Sequence, residues 1–142
     1  MRCAVGPKDK YTAGDYDYYL FDGEFRSYTD AEMDCAARYN GGHLATFNDE
    51  SEYNAVTIWL QWIYAQEKGI WMGYTDAYTE GTFVSIDGMN RTLPRYIEWA
   101  SGEPDNYHVG ENCAMFRPSD RYLSDVSCYS RKNYICKGEK RV

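Results

Sequence analysis

The chain has 142 residues, a length that corresponds to one domain with room for a buried core. Its 15 Lys and Arg against 22 Asp and Glu give a formal net charge of −7, a field that repels the phosphates of nucleic acid and of anionic lipid. With 44% hydrophobic and 17% aromatic residues, the chain is too apolar to remain disordered. We therefore expect a folded domain that neither binds nucleic acid nor inserts into a membrane.

The first 16 residues are polar, contain glycine and show no periodicity. We interpret residues 1–16 as a lead segment and residues 17–142 as the domain. Met1-Arg2-Cys3 does not lead into an apolar signal region, so for a secreted protein we expect the signal to have been removed. The first strand of the domain is predicted at residues 18–21.

Two helices are predicted in the first half of the domain. Thr29 and Glu32 have the spacing of a capping box, and apolar side chains follow at helical intervals. Asn48 or Asp49 can cap the second helix, which is predicted to run to about Gln66. The tryptophans lie in apolar stretches and are all predicted to be in the core: Trp59, Trp62, Trp71 and Trp99.

From Ile70 onward, short apolar runs are separated by Gly, Asp and Pro, a pattern typical of strands and loops. One strand is predicted between the helices, at residues 43–47. The later strands are predicted at residues 70–74, 81–86, 95–99, 113–116, 122–123 and 134–136. The longest connection runs from Trp99 to Cys113, and loops of this length are uncommon unless they are functional. The order of elements predicts a single α+β unit.

The cysteines indicate an oxidising compartment. The five cysteines are Cys3, Cys35, Cys113, Cys128 and Cys136. No two of them have C-x-x-C spacing, which disfavours a zinc cage or a redox motif. Four of them lie in the periodic part of the chain, as expected for two disulfides with Cys3 left over. Asn90-Arg91-Thr92 also matches an N-glycosylation acceptor. Both features point to secretion.

Acidic side chains are concentrated in and after the long loop. They are Glu103, Asp105, Glu111, Asp120 and Asp125. Carboxylates at this density repel one another unless a cation neutralises them, and oxygen ligands without nearby His or Cys favour calcium over zinc or copper. The alternative interpretation of Glu103-Pro104-Asp105 is an ordinary surface turn.

Three motifs resemble those of the C-type lectin domain family. Trp71-Met72-Gly73-Tyr74 is similar to its Trp-Ile-Gly-Leu core motif, residues 99–105 to W-x-x-G-E-P-N, and residues 123–128 to W-N-D-x-x-C. Glu111 follows Glu103 at the spacing found in mannose-binding members. The resemblance extends from about Tyr18 to Cys136.

The resemblance implies an α+β, C-type lectin fold of two helices with small antiparallel sheets and a long calcium-binding loop. It also implies the disulfides Cys35–Cys136 and Cys113–Cys128. Cys3 then either links two chains into a disulfide-bonded homodimer or remains a free thiol.

Two calcium sites are implied by the same resemblance. The principal site would be formed by Glu103, Asp105, Glu111, Ser124 and Asp125. The auxiliary site would be formed by Asp76, Glu80, Asn106 and Asn112, with Glu111 shared. Ser124 stands where the family has Asn, and its hydroxyl is shorter than the amide that binds both calcium and sugar. Because the auxiliary set has amides where carboxylates are usual, we expect that site to be weaker or empty.

The implied ligand is a sugar whose neighbouring hydroxyls coordinate the calcium ion. The sugar-binding residues would be Glu103, Asp105, Tyr107, Glu111, Ser124 and Asp125. In the family, E-P-N accompanies mannose- or GlcNAc-type ligands and Q-P-D accompanies galactose or GalNAc, so Glu103-Pro104-Asp105 is a hybrid. Asp105 and the aromatic ring of Tyr107 favour the galactose type.

We therefore predict a secreted, calcium-dependent lectin that recognises a glycoconjugate or a microbial surface glycan, as in innate immunity. One alternative is a mannose- or GlcNAc-type lectin. Another is a related domain that binds protein or ice, an interpretation favoured by Ser124 and by Leu123 at a position where the family has Trp. The chain contains no G-x-S-x-G, H-E-x-x-H or G-x-G-x-x-G motif, and we expect it not to be an enzyme.

Overall fold

The computed structural model describes residues 6–64, 69–79, 81–89, 91–102 and 112–140, with Asn112 described by its backbone alone. These residues contain helices α1 (Tyr28–Arg38) and α2 (Glu50–Ile63). The strands are β1 (Asp9–Ala13), β2 (Tyr16–Arg26), β3 (His43–Leu44), β4 (Ile70–Thr75), β5 (Val84–Ser85), β6 (Asn112–Arg117), β7 (Tyr122–Ser127) and β8 (Lys132–Glu139). The predicted α+β class with two helices is confirmed.

The strands form one mixed sheet in the order β1, β2, β8, β4, β6, β7, with β3 paired to β8 and β5 paired to β4. Strand β8 runs antiparallel to β2 and parallel to β4. This parallel pair joins the small antiparallel sheets expected from the sequence into a single sheet. The remaining pairs are antiparallel.

Residues 9–13 form a strand within the segment that was predicted to be an aperiodic lead. Strand β1 pairs with β2 through a tight turn at Gly14, whose φ of 60° lies in the left-handed region that glycine adopts readily. Tyr11 stacks on Trp59 of α2 with ring centroids 5.4 Å apart. Asp9, Lys10 and Thr12 are exposed and only Tyr11 and Ala13 pack against the core, so the apolar alternation by which strands are recognised is limited to two residues.

Helix α1 begins two residues earlier than the sequence indicated. The Ser27 side chain accepts a hydrogen bond from the Asp30 N–H at 3.3 Å and is the N-cap. The predicted capping box at Thr29 and Glu32 is wrong. The Glu32 carboxylate instead accepts the Leu44 N–H at 2.8 Å and so ties α1 to β3.

Helix α2 is capped by Asp49, whose side chain accepts the Glu52 N–H at 2.8 Å. It ends at Ile63, before the predicted Gln66. Leu60 is fully buried, whereas Trp62 is 84% exposed. The prediction that every tryptophan lies in the core is wrong for Trp62, because two residues along a helix place a side chain on nearly the opposite face.

The sheet has a hydrophobic core on each face. On β2, Leu20 belongs to the core covered by α2 and Phe21 to the core covered by α1. On β4, Met72 belongs to the core covered by α2 and Trp71 to the core covered by α1. Because successive strand residues point to opposite faces, these strands are apolar throughout.

The surroundings of Gly73 explain why the Trp71-Met72-Gly73-Tyr74 motif has a glycine at this position. Its N–H donates to the Ala45 carbonyl at 2.7 Å, so β4 passes directly against the segment that follows β3. A Cβ at this position would overlap the Leu44 carbonyl oxygen. The motif therefore encodes a close contact between two backbones.

Two disulfides are present among the described cysteines. Cys35–Cys136 links α1 to β8, and Cys113–Cys128 links β6 to the end of β7. These are the pairs that the family resemblance implies. Cys3 lies outside the described residues, so its state remains a prediction.

We expect Ser27→Ala to lower the free energy of unfolding by about 1 kcal/mol, because the Asp30 N–H loses its cap. Thr29→Ala is the matched control and should change it by less than about 0.5 kcal/mol, since Thr29 is exposed and does not cap the helix. Urea unfolding followed by circular dichroism measures both variants. A larger loss in Thr29→Ala than in Ser27→Ala would contradict this assignment.

Candidate functional site

The beginning of the long loop is held against β7. The Ala100 N–H donates to the Leu123 carbonyl at 2.8 Å, and the Leu123 N–H donates to the Glu98 carbonyl at 2.9 Å. This parallel bridge between Trp99 and Leu123 is all that forms of the strand predicted at residues 95–99. The Trp99 ring packs edge-on against Phe83 with centroids 4.8 Å apart. The chain is thus fixed beside β7 shortly before Glu103.

Ser124 and Asp125 follow this bridge directly. Asp125 is 6% exposed and pairs with Ala114 of β6, whereas Ser124 is half-buried and pairs with Met115. A carboxylate buried to this degree requires a hydrogen-bond, ion-pair or metal partner. Leu123 is fully buried in the core, so the replacement of the family's Trp changes core packing and not the exposed surface.

Asp76 is a second buried carboxylate, only 2% exposed, directly after β4. Its Oδ2 atom accepts the Gly81 N–H at 3.0 Å. Its Oδ1 atom is buried and has no hydrogen-bond partner among the described residues. An unpartnered carboxylate oxygen is costly to bury, and it is a suitable ligand for a hard cation. Asp76 therefore fits the auxiliary calcium site that the resemblance implies.

The strand register relates the two described carboxylates to each other. Thr75 of β4 pairs with Cys113 of β6, which pairs with Val126 of β7. Asp76 follows Thr75, and Asp125 precedes Val126. The two buried carboxylates therefore flank one row of paired residues, on strands that are separated by β6.

The other predicted site residues cannot be placed. Outside the described residues lie Cys3, Glu80, Asn90, Glu103, Asp105, Asn106, Tyr107 and Glu111, together with the side chain of Asn112. Within the part of the chain that the structure describes, no three His, Cys, Asp or Glu side chains converge as a metal site. The two calcium sites remain predictions, of which Asp76, Ser124 and Asp125 are the described part.

Sequence reasoning missed a concave region between α1 and the turn that follows β4. It is lined by tyrosines that no motif singled out, among them Tyr28, Tyr78 and Tyr129. Single tyrosines in a chain with 15 of them carry no recognisable signal. Only the packing of distant segments brings them together.

Comparison with known proteins identifies the family and the fold. The chain matches the family model of the Lectin C-type domain over residues 24–138. Among solved structures, the C-type lectin CEL-I from Cucumaria echinata has a TM-score of 0.77 at 26% identity, covering 92% of this chain and 95% of CEL-I. The predicted C-type lectin fold is confirmed.

Two further relatives are described by the carbohydrates in their names. An alpha-N-acetylgalactosamine-specific lectin from Patiria pectinifera is 32% identical over 125 residues, covering 84% of this chain and 72% of that protein. The cow C-type carbohydrate-recognition domain of CD23, solved in the presence of a GlcNAc2Man3 oligosaccharide, has a TM-score of 0.75 at 26% identity. It covers 99% of this chain, and all of the CD23 domain is matched.

We expect calcium to stabilise the domain, by about 2.7 kcal/mol at a hundredfold excess over the dissociation constant of one site. Asp76→Asn should reduce the gain at calcium concentrations high enough to fill the weaker auxiliary site, because it weakens an oxygen ligand there, without lowering stability in EDTA. Thermal unfolding with calcium or EDTA measures both effects. Asp120→Asn is the control, because the Asp120 carboxylate is exposed and paired with Arg117. This variant should retain the full stabilisation by calcium. Equal gains in wild type and Asp76→Asn would contradict the assignment.

Proposed function

Because the chain belongs to the C-type lectin domain family, we propose that it is a secreted, calcium-dependent lectin of the galactose and GalNAc type. The observation that carries this proposal is the bridge from Trp99 and Ala100 to Leu123, which holds the chain beside the strand of Ser124 and Asp125 three residues before Glu103. The family consists of carbohydrate-binding proteins and not of enzymes, so the expectation of a non-enzymatic protein is confirmed.

The family generally uses Ca²⁺. For this chain we propose a principal site with the acidic side chains Glu103, Asp105, Glu111 and Asp125, and with Ser124 at the Asn position. Carboxylates are suited to calcium, which accepts about six to eight oxygen ligands, and a bound ion supplies open positions for two neighbouring sugar hydroxyls. The same carboxylates accept hydrogen bonds from those hydroxyls and so fix the orientation of the sugar.

The preference for galactose or GalNAc rests on the hybrid motif. Asp105 supplies an acceptor where mannose-type members have an amide, and Tyr107 provides an aromatic ring for the apolar face of the sugar. The similarity to a relative named for N-acetylgalactosamine supports this choice. A mannose- or GlcNAc-type lectin remains the alternative, since Glu103 is the residue found in that class.

A protein- or ice-binding domain is less well supported. Its sequence argument rested on Ser124 and Leu123, and Leu123 is buried in the core. Ser124, half-buried beside Asp125, then remains with Asp105 as a departure from the family pattern that bears on the ligand surface.

Secretion is proposed on the basis of the two disulfides, which persist in oxidising compartments. No helix among the described residues is both long and apolar enough to cross a membrane. We also propose that Cys3 pairs with its counterpart in a second chain, because the four other cysteines are already bonded within the chain. The ligand would then be the glycan of a glycoconjugate or of a microbial surface. The two sites of a linked dimer bind such a repeated glycan more tightly than one site does.

We expect the protein to be retained on a galactose resin in calcium and released by EDTA, because the sugar hydroxyls lose their coordination. Soluble GalNAc or galactose should elute it at a lower concentration than mannose. Asp125→Ala is the control and should fold, as judged by near-UV circular dichroism, without being retained. Retention that persists in EDTA would contradict calcium dependence, and stronger competition by mannose would contradict the proposed preference.

Asp105→Asn should shift the selectivity toward mannose by about tenfold, or ~1.4 kcal/mol, because the amide adds a donor to an all-acceptor pair. Glu103→Gln is the opposite arm of the experiment and should strengthen the preference for galactose. Inhibition by each monosaccharide gives the two selectivity ratios. If neither ratio changes, the motif does not contact the sugar.

A further inference from the structure

A cavity of about 460 Å³ opens between the first turn of α1 and the turn after β4. Its lining ranges from Thr75 and Cys113, which are almost fully buried, to Tyr78 and Tyr129, which are 72% and 75% exposed and which we take as the mouth. Small-molecule sites in proteins commonly have volumes of about 300–1,000 Å³. None of its lining residues is a predicted calcium or sugar ligand.

One wall of the cavity contains an unsatisfied hydroxyl. The Tyr28 side chain is 4% exposed and packs edge-on against Trp71, but its hydroxyl has no hydrogen-bond partner among the described residues. Burial, and after it the charge on Glu32 and the phenol of Tyr78, raise the pKa of Tyr28 well above its ordinary value. The hydroxyl has almost no surface accessible to water, so a ligand in the cavity reaches it only after a small shift of the side chains around it. It is a neutral group able to donate one hydrogen bond and accept another.

Two hydrogen bonds hold the backbone of the cavity walls. The Tyr28 N–H donates to the Cys128 carbonyl at 2.9 Å, which ties α1 to the Cys113–Cys128 disulfide. The Thr75 hydroxyl accepts the Ala77 N–H at 3.1 Å and so holds the turn that carries Tyr78. A backbone that is held in advance limits the entropy lost when the cavity is occupied.

The lining indicates the chemical class of the ligand. Six of its eleven residues carry hydroxyl groups: Ser27, Tyr28, Thr29, Thr75, Tyr78 and Tyr129. The lining includes one carboxylate, that of Glu32, and no Lys, Arg or His among its described residues, which disfavours an anionic ligand. Two exposed tyrosine rings at the mouth offer flat apolar surfaces. A neutral ring with hydroxyls on its edge and C–H groups on its face matches all three properties.

We propose that this cavity is a second carbohydrate site, which binds a neutral pyranose ring without calcium. Tyr78 and Tyr129 contact the C–H face of the sugar, and the Tyr28 hydroxyl bonds to one of its hydroxyl groups. The site goes beyond the calcium-dependent function proposed above and does not rely on it.

The test uses the full chain in EDTA and records amide chemical shifts by NMR during titration with the methyl glycosides of GalNAc, galactose, glucose and mannose. We expect at least one of them to shift the amides of Ala77, Tyr78 and Tyr129. Tyr28→Phe should weaken this binding about fivefold, the equivalent of one hydrogen bond, without lowering the urea midpoint, because the lost hydroxyl has no partner in the protein. Tyr129→Ala should weaken it further.

Matched controls separate this site from the calcium site and from general effects of mutation. Tyr11→Phe removes a phenol on the distant strand β1, Trp62→Ala removes an exposed ring on α2, and both should bind like wild type. Asp125→Ala should lose retention on the calcium-dependent resin and keep the EDTA-resistant shifts. The proposal is overturned if no glycoside shifts these amides in EDTA, or if Tyr28→Phe and Tyr129→Ala both bind like wild type. Neither result affects the calcium-dependent proposal.

Discussion

Strand β8 is the element on which the other parts of the fold depend. It lies between β2 and β4, and its residue Cys136 is bonded to Cys35 of α1. Tyr134, Ile135 and Cys136 are fully buried and alternate between the two cores. One strand thus links the helix, the amino-terminal hairpin and the strands of the second half. Its removal would expose both cores together.

The described residues of the proposed calcium sites lie at the far end of this chain of pairings, where β8 positions β4, β4 positions β6, and β6 positions β7. Two carboxylates are buried there, Asp76 after β4 and Asp125 on β7. The Cys113–Cys128 disulfide lies in the same region and lines the tyrosine cavity. The sheet therefore holds both carboxylates and the disulfide at set positions in the fold.

The two proposed sites use different physical interactions. The calcium site depends on carboxylates, and part of the net charge of −7 is best understood as ligand charge that a cation neutralises. The tyrosine cavity depends on aromatic surface and on neutral hydroxyls, which do not respond to chelation. A lectin with both could bind a glycan at two points, so that two weak contacts reinforce each other.

Local patterns in the sequence determined much of this protein. The α+β class, the two helices, Asp49 as one of two candidate caps and the Trp71-Met72-Gly73-Tyr74 strand follow from spacing and composition, and the disulfide pairs follow from the family motifs. The tertiary structure decided the rest. Glu32 has the right spacing for a capping box, yet its carboxylate bonds to Leu44, a contact that sequence distance does not reveal. The strand β1, the exposure of Trp62 and the cavity around Tyr28 likewise depend on which surfaces meet after folding, because burial is set by neighbours distant in the chain.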